Sequence, residues 1–388
     1  MNILFCGNLD YSNNIAALTT VNHFKKSLEE NRHNVYIFGS TQKKFLKSNL
    51  KNNKSRISYA PPSFNRFAPK TFQIIENDRK KIKQYLPKVI ISKSIEIIIV
   101  YSTFYPVLEE VIKVTKKYNL KCLTYGGEYF SINFKNLLNT TNIFQFLAKI
   151  YSYQKFDGHI CSTHFHEKYL KRFSKKTIVI PTISPLTYQK NNEQDYRGGG
   201  SFNLVWMGKP NHREFILRII KGFKIAQKKD NNIKLFLISE IDSRKSSLCK
   251  KIVNEINGSQ NIFITGFLTE TEKSTLLNKA SAFIHLRNIS RETFHAFPTR
   301  VPEYLAYKKP IIFSKCPPFT DYFVHLKDAF FINPRNNIFD ISDAIYKLYK
   351  NPNISKEISK NCSILIRNNF SIELNGTKLN KFIESFKV

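Results

Sequence analysis

Short apolar runs alternate with amphipathic segments along this chain, and the alternation happens twice. The first run, NILFCG, has the unbroken apolar character of a strand buried on both faces; a Gly-Asn-Leu-Asp loop, the amphipathic segment IAALTTVNHFKKSLEEN and a second run, VYIFG, follow it. Parallel strands joined by helical crossovers produce this rhythm, because a sheet covered on both faces needs strands apolar throughout. Runs at IEIIIVYS (95–102), KCLTYGG (121–127), GHICS (158–162) and TIVIP (177–181) continue the scheme, with LEEVIKVTKKYN and NIFQFLAKIYSYQKF as helical segments. At NNEQDYRGGGS the pattern lapses into polar residues and three glycines, a natural linker. It then restarts with FNLVWMG, FILRIIKGFKIAQKK, IKLFLIS and SSLCKKIVNEI, and closes with the strands NIFITG, AFIHL, PIIFS and AFFIN.

The expectation is an α/β protein of two Rossmann-like domains, 1–190 and 201–370, with a C-terminal helix at about 371–388 packing back onto the first. Ligands of such folds bind at clefts and strand switch points. Neither NILFCGNLDYSN nor LVWMGKPNHR contains GxGxxG, no acidic ribose partner stands at the usual distance, and no Walker A sequence is present. Hydride transfer and P-loop NTP hydrolysis are therefore poorly supported.

The charge balance is extreme, 61 basic against 29 acidic residues and a net +32. Lys, Asn, Ile, Phe and Tyr are all abundant, as an AT-rich genome would produce, so part of the excess reads as drift on a solvated surface. An anionic partner is the other explanation, and net charge alone does not choose. The excess concentrates in residues 41–93, where fourteen Lys or Arg face only Glu76 and Asp78. Phe45, Phe64, Phe67 and Phe72 lie within this basic apron; they suit base stacking, a lipid headgroup layer, or ordinary core. A nucleic-acid-binding protein using 41–93 is thus an alternative function, but no recognisable DNA or RNA module supports it.

Six scattered cysteines form no CxxC or Cys/His spacing and read as reduced, buried thiols. MNILFCG lacks the basic leader of a signal peptide, and Lys93 and Glu96 interrupt the most apolar stretch. A cytoplasmic protein is expected, with any membrane contact peripheral, on the inner face of the plasma membrane.

Three segments carry a resemblance. WMGKPNHREFILRIIKGF, NIFITGFLTETEKSTLLNKASAFIHL and FPTRVPEYLAYKKPIIFS follow one another as in the nucleotide-sugar half of family-4 glycosyltransferases. Those are retaining enzymes of the GT-B architecture, with two Rossmann-like domains facing across a cleft. The likeness covers nearly all of 202–316, and GHICSTHFHEKYLKRF with TIVIP resembles the end of the family's first domain. It implies a retaining hexosyltransferase of the bacterial surface-polysaccharide type, with a UDP- or GDP-linked sugar as donor and a glycan or lipid-linked acceptor. No cofactor and no metal are implied, and an anionic membrane surface would suit such an acceptor.

Residue by residue, the resemblance places Lys209 and Arg213 on the donor diphosphate, where they would neutralise charge as the glycosidic bond breaks. Lys209 stands where the family usually has Arg. A helix beginning near Thr299, with Arg300 beside it, offers backbone N–H groups and a positive dipole end to the same phosphates. Glu303, about one turn in, would accept hydrogen bonds from the ribose hydroxyls; a diol would then be its partner and no cation would be needed. The same residue also reads as a first-turn carboxylate favouring the helix dipole. Gly7 would let backbone approach the donor phosphates, and Gly208 and Gly266, which close strands in the second half, join the donor-side set. Glu128 in YGGEYF is the candidate on the acceptor side.

Two positions depart from the family. The glutamate expected seven intervening residues before Glu303 is His295, with Glu292 as a substitute from the preceding loop, and Lys308 replaces the glycine that ends the helix. A GT-B-like protein without activity is the alternative these departures raise. His164 and His166 are two apart in a helical pattern, where they share no face, so no metal site is expected.

Overall fold

The structure is a computed structural model that describes residues 1–10, 15–40, 55–59, 70–102, 104–126, 140–174, 176–184, 200–211, 213–333 and 338–387. The chain divides into two units: Met1–Ile183, Phe294–Thr299 and Ser371–Val388 form the first, and Ser184–Thr293 with Arg300–Phe370 the second.

The first unit contains β1 (Asn2–Asp10), α1 (Ile15–Glu30), β2 (Asn34–Ser40), β3 (Arg56–Tyr59), α2 (Lys70–Ser92), β4 (Ile97–Tyr101), α3 (Tyr105–Lys117), β5 (Lys121–Gly126), α4 (Thr140–Leu147), β6 (Gly158–Cys161), α5 (His164–Leu170) and β7 (Thr177–Val179). A π turn, Ala148–Ser152, and a short 3-10 turn, Tyr153–Lys155, extend α4. All strand pairs are parallel, in the order β3-β2-β1-β4-β5-β6-β7.

The second unit contains β8 (Phe202–Met207), α6 (Ile216–Lys229), β9 (Ile233–Ile238), α7 (Ser247–Ile256), β10 (Ile262–Ile264), α8 (Glu270–Asn278), β11 (Ala282–His285), the start of α9 (Arg291–His295), whose Phe294 and His295 count with the first unit, α10 (Arg300–Ala306), β12 (Ile311–Ser314), β13 (Phe330–Ile332), α11 (Ile338–Lys350) and α12 (Pro352–Leu365). Its parallel sheet runs β10-β9-β8-β11-β12-β13. The last helix, α13 (Ile372–Glu384), belongs to the first unit.

Strand periodicity builds the first unit's two layers. Ile3 and Phe5 of β1 and Ile97 and Ile99 of β4 point into a cluster with Phe24 and Leu28 of α1 and Leu379 and Ile383 of α13. Leu4, Cys6, Ile98 and Val100 point the other way, against Ile82 and Leu86 of α2 and Leu108 and Val111 of α3. A chain that buries every residue of a strand must cover both faces. The C-terminal helix supplies part of one cover. In the second unit Tyr304 of α10 stacks on Phe283 of β11 at 4.2 Å, and Phe319 on Phe313 of β12 at 4.3 Å.

In both sheets the chain reverses its direction of growth beside the first strand, between β1 and β4 and between β8 and β11. Crevices at the carboxyl ends of such strands are where open α/β sheets bind ligands. β1 differs from its expected extent, because it continues through Gly7 instead of turning there. Gly7 has φ +123°, its register with β2 shifts between Cys6 and Asp10, and a Cβ would collide with the Tyr101 carbonyl of β4. Its glycine is required by strand packing at an irregular point of the ladder.

Candidate functional site

Five charged side chains gather at the carboxyl ends of β8 and β11. After β8 the chain passes Gly208 and the exposed Lys209, then turns on Asn211, whose Oδ1 accepts from the backbone N–H groups of Arg213 (2.8 Å) and Glu214 (3.1 Å). That turn aims two neighbouring side chains at different partners. Arg213 Nε lies 3.1 Å from Glu292 Oε2 at the start of α9. Glu214 Oε2 accepts from Arg300 Nη1 at 2.9 Å, and the same nitrogen donates to the Met207 carbonyl. Arg300 therefore reaches back from the first residue of α10 to the end of β8. Gly208 makes room for it: a Cβ there would collide with the guanidinium.

Arg287, after β11, is buried, and Nη1 donates to the Thr293 carbonyl at 3.3 Å. Burial pulls its guanidinium down to about 10, against the attraction of Glu214 and with the repulsion of Arg213 and Arg300. His285, at the end of β11, is fully buried with neither ring nitrogen hydrogen-bonded. Burial, with Arg300 and Arg287 nearby, holds it well below the ordinary histidine range, so it is neutral.

Glu303 is half-buried on α10, and its neighbour corrects an expectation. Lys273 Nζ of α8 lies 3.1 Å from Glu303 Oε1 and 2.9 Å from Glu270 Oε2. The carboxylate has a cationic partner after all. Burial lowers the Lys273 ammonium, but Glu303 and Glu270 outweigh it and the net shift is upward. The capping box between Thr269 and Glu272 sets the start of α8, so Lys273 emerges one turn into a fixed helix.

Of the sequence-derived residues, Lys209, Gly208, Arg213, Arg300 and Glu303 fall in the second unit, together with Gly266, which turns after β10 with φ +71°. Arg300 is already engaged with Glu214, which makes it a brace of the β8 end more than an open phosphate ligand. His295 is placed apart from these. Its ring is buried in the first unit, 4.7 Å from Phe165, 5.2 Å from His166 and 5.7 Å from Tyr169, and its carbonyl accepts from Ser162 Oγ at 2.9 Å. Aromatic packing surrounds the ring that stands where the family has a glutamate. Thr299 also belongs to the first unit, and Glu128 lies outside the described residues. Lys308 keeps the left-handed geometry of the glycine it replaces, at φ 53°. Among the described residues no group of three or more His, Cys, Asp or Glu could hold a metal ion.

Sequence reasoning missed Glu214, Arg287 and Lys273. Glu214 stands beside Arg213 in the same resembling segment, and only its small exposure distinguishes it from surface charge. Lys273 had no signal of its own, because nothing in the spacing of ETEKSTLL pairs it with a residue thirty positions on.

The two Rossmann-like units together have the fold of GT-B glycosyltransferases. The Anabaena protein HepE, in complex with UDP and glucose, superposes with a TM-score of 0.74 at 13% identity over 100% of both chains. Sucrose-phosphate synthase from Thermosynechococcus elongatus gives 0.74 at 14% identity, over 99% of this chain and 98% of that one. A glycosyltransferase from Rickettsia africae gives 0.71 at 16% identity, over 100% of this chain and 98% of that one. At such identities the likeness is one of fold. In sequence, residues 197–363 match the family model of glycosyl transferases group 1, a span that contains Lys209, Arg213, Lys273, Glu292, Arg300 and Glu303. No curated protein sequence matches the chain.

Proposed function

We propose that the protein is a retaining glycosyltransferase that moves a hexose from a UDP- or GDP-linked donor to a glycan or lipid-linked acceptor of cell-surface polysaccharide synthesis. The observation that carries this reading is the group 1 sequence match over the span that sets Lys209, Arg213 and Glu303 at the carboxyl-end region of a parallel sheet. A neighbour of the same fold holding UDP and glucose supports the donor class. In this reading Lys209 and Arg213 neutralise the departing diphosphate, and Glu303 accepts hydrogen bonds from the ribose hydroxyls. The acceptor hydroxyl attacks the anomeric carbon from the face the phosphate leaves, the C–O bond to phosphate breaks, and the phosphate oxygen takes the acceptor's proton. No separate general base is required, and inversion is avoided because attack and departure share one face.

Glu303→Gln tests it. Titration calorimetry with UDP, GDP and their hexose conjugates should show saturable binding by the native protein. The variant should bind about tenfold or more weakly, since the charge-assisted hydrogen bond it loses contributes about 1.5–3 kcal/mol, and it should remain folded but melt somewhat lower because the ion pair with Lys273 is lost as well. A native protein that binds no sugar nucleotide, or a variant that binds equally well, would remove the proposed donor site.

A further inference from the structure

Helix α4 and its π turn bury polar side chains beside Ala148 on the core side and leave large apolar ones outside. Gln145, Lys149 and Ser152 are buried, at 3%, 8% and 0% exposure, while Ile143, Phe146, Ile150 and Tyr151 stand 36–48% exposed along the other face. The spacing is that of one side of a helix. Exposed Phe72, in the first turn of α2, stacks at 6.1 Å on Phe144, which packs on the core at the stripe's flank, and Tyr151 meets Tyr105 of α3 edge-on at 6.0 Å. Scattered exposed apolar residues are ordinary, but a contiguous stripe opposite buried polar residues marks a surface that is covered in use.

We propose that this face is the seat of an anionic lipid bilayer, with the α4 stripe in the headgroup–acyl boundary and the lysines of α2 on the lipid charge. Charge selects that occupant. Residues 70–92 and 140–155 carry eight Lys or Arg against Glu76 and Asp78; Lys149 is buried and Arg79 and Lys155 are paired with acids, but Lys80, Lys83 and Lys88 are exposed. The acids beside the stripe are neutralised locally: Glu76 and Glu110 by Arg79, and Glu109 by Lys155 at 2.7 Å. A second copy of a chain carrying +32 would bring like charge against like charge, whereas anionic headgroups meet these cations directly. An apolar face flanked by lysines, with aromatic residues among the apolar ones, is the composition of helices that lie in the plane of the interface. Among the described residues no helix is long and apolar enough to cross a membrane, so the contact is peripheral.

Position favours the same conclusion. In a crossover the helix returns from the carboxyl end of the preceding strand, so the starts of α2 and α4 lie toward the carboxyl edge of the first sheet. The seat is thus on the side where such folds bind ligands. It holds whichever reaction the protein performs.

Co-sedimentation with vesicles of phosphatidylcholine alone and mixed with phosphatidylglycerol tests the proposal. The native chain should pellet with the anionic vesicles, less as salt rises. Phe146→Ser/Ile150→Ser should lower partitioning about tenfold or more, and Lys80→Glu/Lys83→Glu should lower it as well. Tyr151→Trp in the otherwise native chain should shift its emission to shorter wavelength on those vesicles and be quenched by brominated acyl chains. Trp206, the one native tryptophan, is fully buried and gives a steady background. Undiminished binding by the Phe146/Ile150 variant, or a native chain indifferent to anionic vesicles at low salt, overturns it. So does a solution dimer that the same variant dissociates, which would assign the stripe to a second copy.

Discussion

The brace at the end of β8 makes a sharp prediction, because one missing Cβ and one guanidinium share a single space. Gly208 does not have the left-handed geometry that would strain an alanine, so the effect of Gly208→Ala is steric and falls on Arg300. Displacing Arg300 leaves the Met207 carbonyl and the Glu214 carboxylate without their donor. A charge-assisted hydrogen bond contributes about 1.5–3 kcal/mol, and breaking a buried pair costs about 3–5. Arg300 is 20% exposed and Glu214 9%, so water partly rescues the carboxylate, and about 2–3 kcal/mol is the appropriate size. For a unit of this length that lowers Tm by about 2–4 °C per kcal/mol. Trp206 lies two residues before Gly208 and is the sole tryptophan, so its fluorescence follows the second unit by itself. Gly208→Ala and Arg300→Leu should each lower the midpoint, while the double variant should be no less stable than Arg300→Leu alone. Strictly additive losses, or a Gly208→Ala protein as stable as the native one, would refute the shared-space argument.

Three further outcomes follow from other groups. Lys273→Met should destabilise the second unit at neutral pH, and the difference should fade as pH rises past the ordinary lysine value of 10.5, since a raised pKa gives stability that is present below the unfolded value and lost above it; denaturation midpoints across pH check this. Burial pushes His159 to about 4 and His166, with His295 and His159 beside it, to about 3, so the folded first unit refuses protons that the unfolded chain accepts. Stability of that unit should therefore fall as pH drops below about 6.5, and His166→Leu should flatten the fall; a slope unchanged by the substitution, followed by circular dichroism, would count against it. Turnover with any productive donor should persist in excess EDTA, and activity abolished by EDTA and restored by magnesium or manganese would show a divalent ion on the phosphates.

Much of the second unit's site was legible because its parts are local. Lys209 and Arg213 are tied to the end of a strand, and Glu303 to the first turn of a helix that begins between Pro298 and Pro302. Spacing along the chain places such residues without knowledge of the fold. Partners resisted prediction for the opposite reason. Lys273 meets Glu303 because α8 and α10 are neighbours in space, and Arg300 meets Glu214 because α10 returns to the end of β8. His295 is a case of the same kind: counting residues back from Glu303 located the position, but only the fold shows that the segment Phe294–Thr299 packs with the first unit.

The sequence by itself determined the two parallel sheets, because a strand apolar at every position can only be buried on both faces, and that needs helical crossovers. The resemblance marked Lys308 as standing where a glycine ends the helix, and the structure shows that the left-handed geometry is kept there. What only the tertiary structure decided is which faces remain uncovered and which charges meet. The segment NIFQFLAKIYSY reads as an ordinary amphipathic helix, and its periodicity is the same whichever face turns inward. Packing against α3 turned Gln145 and Ser152 inward, with Ser152 donating to Glu109, and left Ile143, Phe146 and Ile150 outside. Periodicity reports that a helix has two faces; the neighbours it packs against decide which one is buried.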